Sequence, residues 1–169
     1  MAALVAVQSA LADRPGVLTA ARGLSHFGEH SIGWLAVAAA GALLMPKRRL
    51  EWLVAGAGAF AAHVAAVLVK RVVRRKRPSD PAVVVNVGTP SQLSFPSAHA
   101  TSTTAAAILM GRITGLPLPA VLIPPMALSR MLLGVHYPSD VACGIALGAI
   151  VARITVRLEG RARKVWPNE

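Results

Sequence analysis

Residues 52–70 read WLVAGAGAFAAHVAAVLVK, an uncharged apolar run that ends on a lysine. A run of about 20 such residues spans the ~30 Å hydrocarbon core of a bilayer as an α-helix. A helix on the surface of a soluble protein would instead carry a charged face. Working outward, residues 31–45 form a second nearly uncharged run, joined to the first by the basic link 46–51. Residues 77–98 hold Pro78, Pro81, Gly88, Pro90 and Pro96 and read as one surface loop. Three further helices are expected over 99–113, 120–135 and 141–158, the middle one bent at Pro124-Pro125. The turns between them are 115–119 and His136 to Asp140.

The fold class that follows is all-α: a polytopic membrane helical bundle of about five transmembrane helices. Residues 1–29 are interrupted at Pro15-Gly16, and their apolar positions suit helices lying in the interface. The expected organisation is one membrane-embedded domain over 1–169: an interfacial segment 1–29, a transmembrane core 30–158 and a basic tail 159–169. A cleaved leader ending at Ala10-Leu11-Ala12 is not expected, because no positive charge precedes that short stretch. Trp34, Trp52 and Trp166 are expected at headgroup level. The single cysteine, Cys143, excludes an internal disulfide and is expected to be a small buried residue.

Composition agrees. The chain of 169 residues is 54% hydrophobic and 15% charged, where soluble domains carry about 25% charged residues. Its net charge of +11 fits a cytoplasmic membrane surface, an anionic substrate site, or both. Nucleic acid is not an expected partner; the bilayer is.

Three stretches break the apolar pattern with ionisable groups, which are costly in a membrane protein and mark function. They are Lys70 to Pro78 (KRVVRRKRP), Phe95 to His99 (FPSAH), and Ser129-Arg130 followed by His136 and Asp140. Helix order puts all of them on one side of the membrane. Lys70, Arg77 and Arg130 supply cations for a phosphate, arginine as a planar fork. Ser97 adds a hydroxyl, and the backbone at Ala98 and His99 opens a helix, whose N-terminus attracts anions. Asp140, four residues after His136, would orient that imidazole and stabilise its cation, as a nucleophilic histidine requires. His99 has no carboxylate nearby in sequence and suits a general acid. The sequence lacks an Asp/Glu cluster of metal-binding type, so neither a metal nor another cofactor is expected. Arg71, Arg74, Arg75 and Lys76 read as a lipid-headgroup patch. Ser129 reads as a packing hydroxyl, and His63, one helical face below Lys70, as an interhelical hydrogen-bond partner. His26 and His30 are expected at the interface, and Phe95 and Tyr137 beside the site as packing.

These motifs resemble the three signatures of the type 2 phosphatidic acid phosphatase superfamily, which also holds vanadium haloperoxidases. The matching parts are Lys70-x6-Arg77-Pro78, Pro96-Ser97-Ala98-His99 and Ser129-Arg130-x5-His136-x3-Asp140. The resemblance implies a haloperoxidase-like helical core and metal-independent phosphate ester hydrolysis through a phosphohistidine. His136 would be the nucleophile, Asp140 its orienter and His99 the acid. Lys70, Arg77, Ser97, Ala98 and Arg130 would hold the phosphate. The family carries glycine where this chain has Ala98, so the local loop geometry is a point to test. The substrate expected is a lipid phosphate, first a prenyl-linked phosphosugar of cell-wall arabinan synthesis. The alternatives are polyprenyl diphosphate, phosphatidylglycerol phosphate and phosphatidic acid. A non-enzymatic protein binding anionic lipid, and a vanadate-dependent oxidase, are the remote readings. A multi-pass location in the cell membrane is expected, with the site on the extracytoplasmic face. Self-association, as a homo-oligomer, is left open by the sequence.

Overall fold

The structure, a computed structural model, describes residues 1–165, without the side chains of Arg163 and Val165. Trp166 and the end of the basic tail lie outside the described residues. Among the described residues seven α-helices follow one another: α1 (Ala2–Leu11), α2 (Val17–Gly28), α3 (Ile32–Leu44), α4 (Arg49–Val73), α5 (Ala98–Thr114), α6 (Leu118–Leu132) and α7 (Pro138–Val165). The longest connection, 74–97, is irregular and carries an isolated antiparallel bridge between Lys76 and Leu93.

Helix α5 is the axis of the bundle. It packs against α4, α6 and α7, and its run from Ala100 through Ala107 is buried throughout. A helix enclosed by protein on all sides has no lipid to match, so its surface can be polar if it is small. Thr101, Ser102, Thr103 and Thr104 serve here, with the Thr101 hydroxyl returning a 2.8 Å hydrogen bond to the Ser97 carbonyl. Close approach is what these small residues permit. A Cβ on Gly144 of α7 would stand 2.7 Å from the Ser97 carbonyl oxygen, and one on Gly148 would strike the Thr101 carbonyl. The Gly144-x3-Gly148 pair thus lets the α7 backbone lie on the α5 backbone, as small residues four apart do in membranes.

Three segments are long and apolar enough to cross a membrane: Val17–Leu44, Pro46–Val73 and Pro138–Ala162. The first joins α2, from the 1–29 segment expected at the interface, to α3. Helix α2 continues into α3 through a tight turn at 29–31, where His30 and Ser31 take left-handed backbone (φ 49° and 65°). The reason is visible along α2: Ala21, Ser25 and Gly28 form a small-residue stripe that packs inward on α6. Helix α1 is anchored too. The Gln8 amide bonds the Val84 carbonyl at 2.6 Å and the Leu132 carbonyl at 2.9 Å, and accepts from the Val84 N–H at 3.0 Å.

Trp34 and Trp52, expected at headgroup level, bury their rings in the bundle: Trp34 Nε1 donates to Thr103 Oγ1 at 3.2 Å, and the Trp52 ring fills the space left by Gly41. One expectation is corrected. Cys143 is exposed, on the outward side of α7, because the inward side of that turn is taken by Gly144 against α5. Ser129 is buried and donates to the Met126 carbonyl of its own helix at 2.7 Å.

Candidate active site

The C-terminal ends of α4 and α6 and the N-terminal ends of α5 and α7 meet at one end of the bundle. Lys70, Arg77, Ser97, Ala98, His99, Arg130, His136 and Asp140 are all carried there. Most of them line one cavity of about 630 Å³: Lys70, Arg77, Ala98, His99, Arg130 and His136. Ser97 and Asp140 are fully buried behind that wall.

His136 stands at the centre, 2% exposed. It precedes α7, after a turn at Gly134 whose φ of 71° only glycine takes without strain. Its Nε2 faces the Arg77 guanidinium at 3.4 Å. Its Nδ1 faces Asp140 Oδ2 at 3.6 Å, beyond hydrogen-bond reach, and has no hydrogen-bond partner among the described residues. Burial, reinforced by Arg130, Arg77 and Lys70, pushes the imidazole well below its ordinary pKa against the opposing pull of Asp140. A neutral ring results, and a neutral ring keeps a lone pair available for attack.

Asp140 is held from three directions. Its Oδ2 accepts from the Tyr137 N–H at 2.9 Å, and its Oδ1 accepts from Arg75 at 2.9 Å. Its own carbonyl accepts from the Ser97 N–H at 3.0 Å, which ties the second motif to the third. Arg75 therefore departs from the expected headgroup patch: it bonds Ser139 and Asp140 and stacks 4.0 Å above the Tyr137 ring. Spacing alone could not separate it from its basic neighbours, because the left-handed residue Arg74 ends α4 and redirects the chain just before it.

The cations are aimed by carbonyl groups of the 74–97 segment. Lys70 Nζ donates to the Leu93 carbonyl at 2.9 Å, and Arg77 Nε to that of Ser91 at 2.8 Å. Arg77 also reaches the Val135 carbonyl at 2.7 Å. Burial lowers the Arg77 pKa to about 10, which leaves it charged at neutral pH. Arg130 is 1% exposed, donates to Ser25 Oγ at 2.8 Å, and keeps a buried Nε without a partner among the described residues. Unsatisfied donors on a buried guanidinium are costly and mark a place for an anion.

Ser97 caps α5, its Oγ accepting weakly from the Ala100 N–H at 3.4 Å, so its proton remains to be donated. Ala98 is not among the residues with positive φ, so the glycine of the family signature is not required by backbone conformation at this position. His99 Nε2 donates to the Ser25 carbonyl at 2.9 Å, an arrangement that leaves Nδ1 for other work.

Sequence reasoning missed Ser25, which contacts both His99 and Arg130 from a helix read as interfacial. Gly28, one turn on, admits the His99 ring: a Cβ there would lie 2.7 Å from His99 Cδ2. The available signal was the polar cluster Ser25, His26, Glu29, His30 and Ser31 in an otherwise apolar neighbourhood. Among the described residues no group of three or more His, Cys, Asp or Glu is placed to hold a metal ion.

Comparison with known proteins follows the same lines. The chain is 72% identical over 167 residues to a decaprenylphosphoryl-5-phosphoribose phosphatase of Mycobacterium tuberculosis, covering 97% of this chain and 94% of that protein. It is 72% identical over 143 residues to the enzyme of the same name from Mycolicibacterium smegmatis, covering 85% and 79%. Two solved structures share the fold at low identity. One is a transmembrane PAP2 type phosphatidylglycerolphosphate phosphatase from Bacillus subtilis (TM-score 0.69, 22% identity, 95% of this chain and 86% of that one). The other is Aquifex aeolicus LpxE (TM-score 0.71, 17% identity, 91% and 92%). The PAP2 superfamily model matches residues 51–164, a span that contains all three motifs and the helices that bring them together. By motif, by fold and by sequence over most of its length, this membrane protein belongs to the PAP2 superfamily.

Proposed function

We propose that the protein is a metal-independent lipid phosphatase that removes the 5-phosphate from decaprenylphosphoryl-5-phosphoribose, on the way to cell-wall arabinan. The observation that carries the reaction is the convergence of Lys70, Arg77 and Arg130 on the cavity that the His136 imidazole lines. The substrate rests on the 72% identical relatives. A lipid is also favoured by the cavity wall, which includes Phe60, Val64 and Leu68 on the partly exposed apolar side of α4.

His136 Nε2 attacks phosphorus and the bond to the sugar 5-oxygen breaks. Lys70, Arg77, Arg130 and the Ser97 hydroxyl neutralise charge on the equatorial oxygens, which is most of what phosphoryl transfer needs. As the ring becomes cationic, Asp140 closes on Nδ1 and stabilises it. His99, its Nε2–H held by the Ser25 carbonyl, takes up a second proton on Nδ1 when the phosphate dianion binds and gives that Nδ1 proton to the leaving oxygen. Water then attacks the phosphohistidine, returns a proton to His99 and releases inorganic phosphate. Purified protein should release phosphate faster from a prenylphosphoryl 5-phosphoribose than from prenyl diphosphate, phosphatidylglycerol phosphate or phosphatidic acid. Equal or faster turnover of prenyl diphosphate would defeat the substrate assignment.

We place the site on the extracytoplasmic face. Nine lysines and arginines, from Lys47 to Lys164, fall toward the opposite end, and nine toward the site end. Four of the site-end cations, Lys70, Arg75, Arg77 and Arg130, are engaged in the site rather than free to meet lipid. The remaining bias puts the opposite end in the cytoplasm. In intact cells, with Cys143 replaced by alanine, Ser79→Cys in the 74–97 segment should react with an impermeant thiol reagent. Labelling only after lysis would reverse the orientation.

A further inference from the structure

Beside the phosphate site, the same cavity contains two histidines that the mechanism does not use. His63 lies on α4 seven residues before Lys70, two helical turns or roughly 10.5 Å away along the same face. His30 comes from the turn between α2 and α3, and its left-handed backbone presents its ring to His63. The ring centroids are 5.8 Å apart at 61°, and both residues line the cavity. His63 Nδ1 is buried with no hydrogen-bond partner among the described residues. An imidazole with an unsatisfied nitrogen, facing a cavity at membrane depth, is expensive unless a ligand completes it.

Resting on the proposed function, the substrate carries two phosphates: the 5-monoester that is cleaved, and the phosphodiester that joins sugar to prenyl chain. Lys70, Arg77 and Arg130 serve the first. The second must lie one sugar farther along, toward the apolar wall where the prenyl chain runs. We propose that His30 and His63 form the subsite for this linking phosphodiester and so select phosphosugar lipids over simpler lipid phosphates. Imidazole N–H groups donate to its non-bridging oxygens without placing a permanent charge in the bilayer. Glu29, also on the cavity wall and 3.8 Å from His26, offers a carboxylate that accepts from sugar hydroxyls. Phe60 and Val64 flank His63 on α4 and carry the path to the outer surface, being 47% and 39% exposed.

The test uses full-length protein, farnesylphosphoryl 5-phosphoribose as substrate, and inorganic phosphate as a product inhibitor that reads the cleavage site alone. In the double variant His30→Ala/His63→Ala, KM for the phosphosugar lipid should rise about tenfold, with kcat and the phosphate inhibition constant unchanged within about twofold. The milder His63→Gln, which keeps a donor, should recover part of the loss. An unchanged KM in the double variant would overturn the subsite. So would a parallel loss in kcat and phosphate inhibition, which would mean a structural role. Failure of wild-type protein to release phosphate from this lipid would instead overturn the proposed function, and the subsite with it.

Discussion

Replacing His136 by alanine is expected to lower phosphate release by at least about a thousandfold, the scale on which loss of a covalent nucleophile is felt. The imidazole is 2% exposed and its Nε2 sits against Arg77. The Ser97 hydroxyl is fully buried and caps α5, which sets it to donate rather than to attack. The variant should fold, because His136 precedes α7 and makes no hydrogen bond that holds helices together. Gel filtration and thermal unfolding in detergent report this separately from activity. Brief incubation with radiolabelled lipid phosphate followed by alkaline quench should trap an acid-labile phosphoryl group on wild-type protein and none on the variant. Retained turnover in a folded His136→Ala protein would sink the phosphohistidine reading.

The second large effect is structural in origin. Gly148→Ala adds one methyl group where the Thr101 carbonyl of α5 already touches the α7 backbone. Backbone cannot rotate aside as a side chain can, so the two helices must part. Overpacking of this kind costs about 1–3 kcal/mol. The separation also pulls on the bond from the Ser97 N–H to the Asp140 carbonyl, which holds the second motif to the third. Turnover should fall with stability, although residue 148 is two turns below Asp140 and touches no group of the site. Ile150→Ala is the control: it removes an exposed side chain of the same helix and should leave both readouts near wild type. Wild-type melting temperature and activity in Gly148→Ala would show that α5 and α7 are not held as closely as the structure has them.

The legibility of this protein is uneven, and the unevenness has a physical pattern. Lys70, Arg77, His99, Arg130, His136 and Asp140 were readable because charge is conspicuous in a chain that otherwise avoids it. Helix order then placed them at one end without any knowledge of packing. Ser25, Gly28 and Arg75 were not readable in the same way. A serine and a glycine in an apolar helix are ordinary, and one arginine among Arg71, Arg74, Arg75, Lys76 and Arg77 looks like the rest. Only the left-handed turn at Arg74 and the approach of α7 make Arg75 the partner of Asp140.

The tryptophans carry the same lesson. Their amphipathic rings favour the interface in general, but Gly41 and Thr103 offer Trp52 and Trp34 better places inside the bundle. Composition and motif spacing determined by themselves that this chain is a helical membrane protein with its ionisable motifs gathered at one end, because hydrophobic length and costly charge are properties of residues. The tertiary structure alone decided that α2 enters the bundle, that Ser25 steadies His99 and Arg130, and that His30 meets His63. Those are facts of backbone approach, set by where glycine, alanine and serine let helices touch, and a one-dimensional pattern does not record which surfaces face each other.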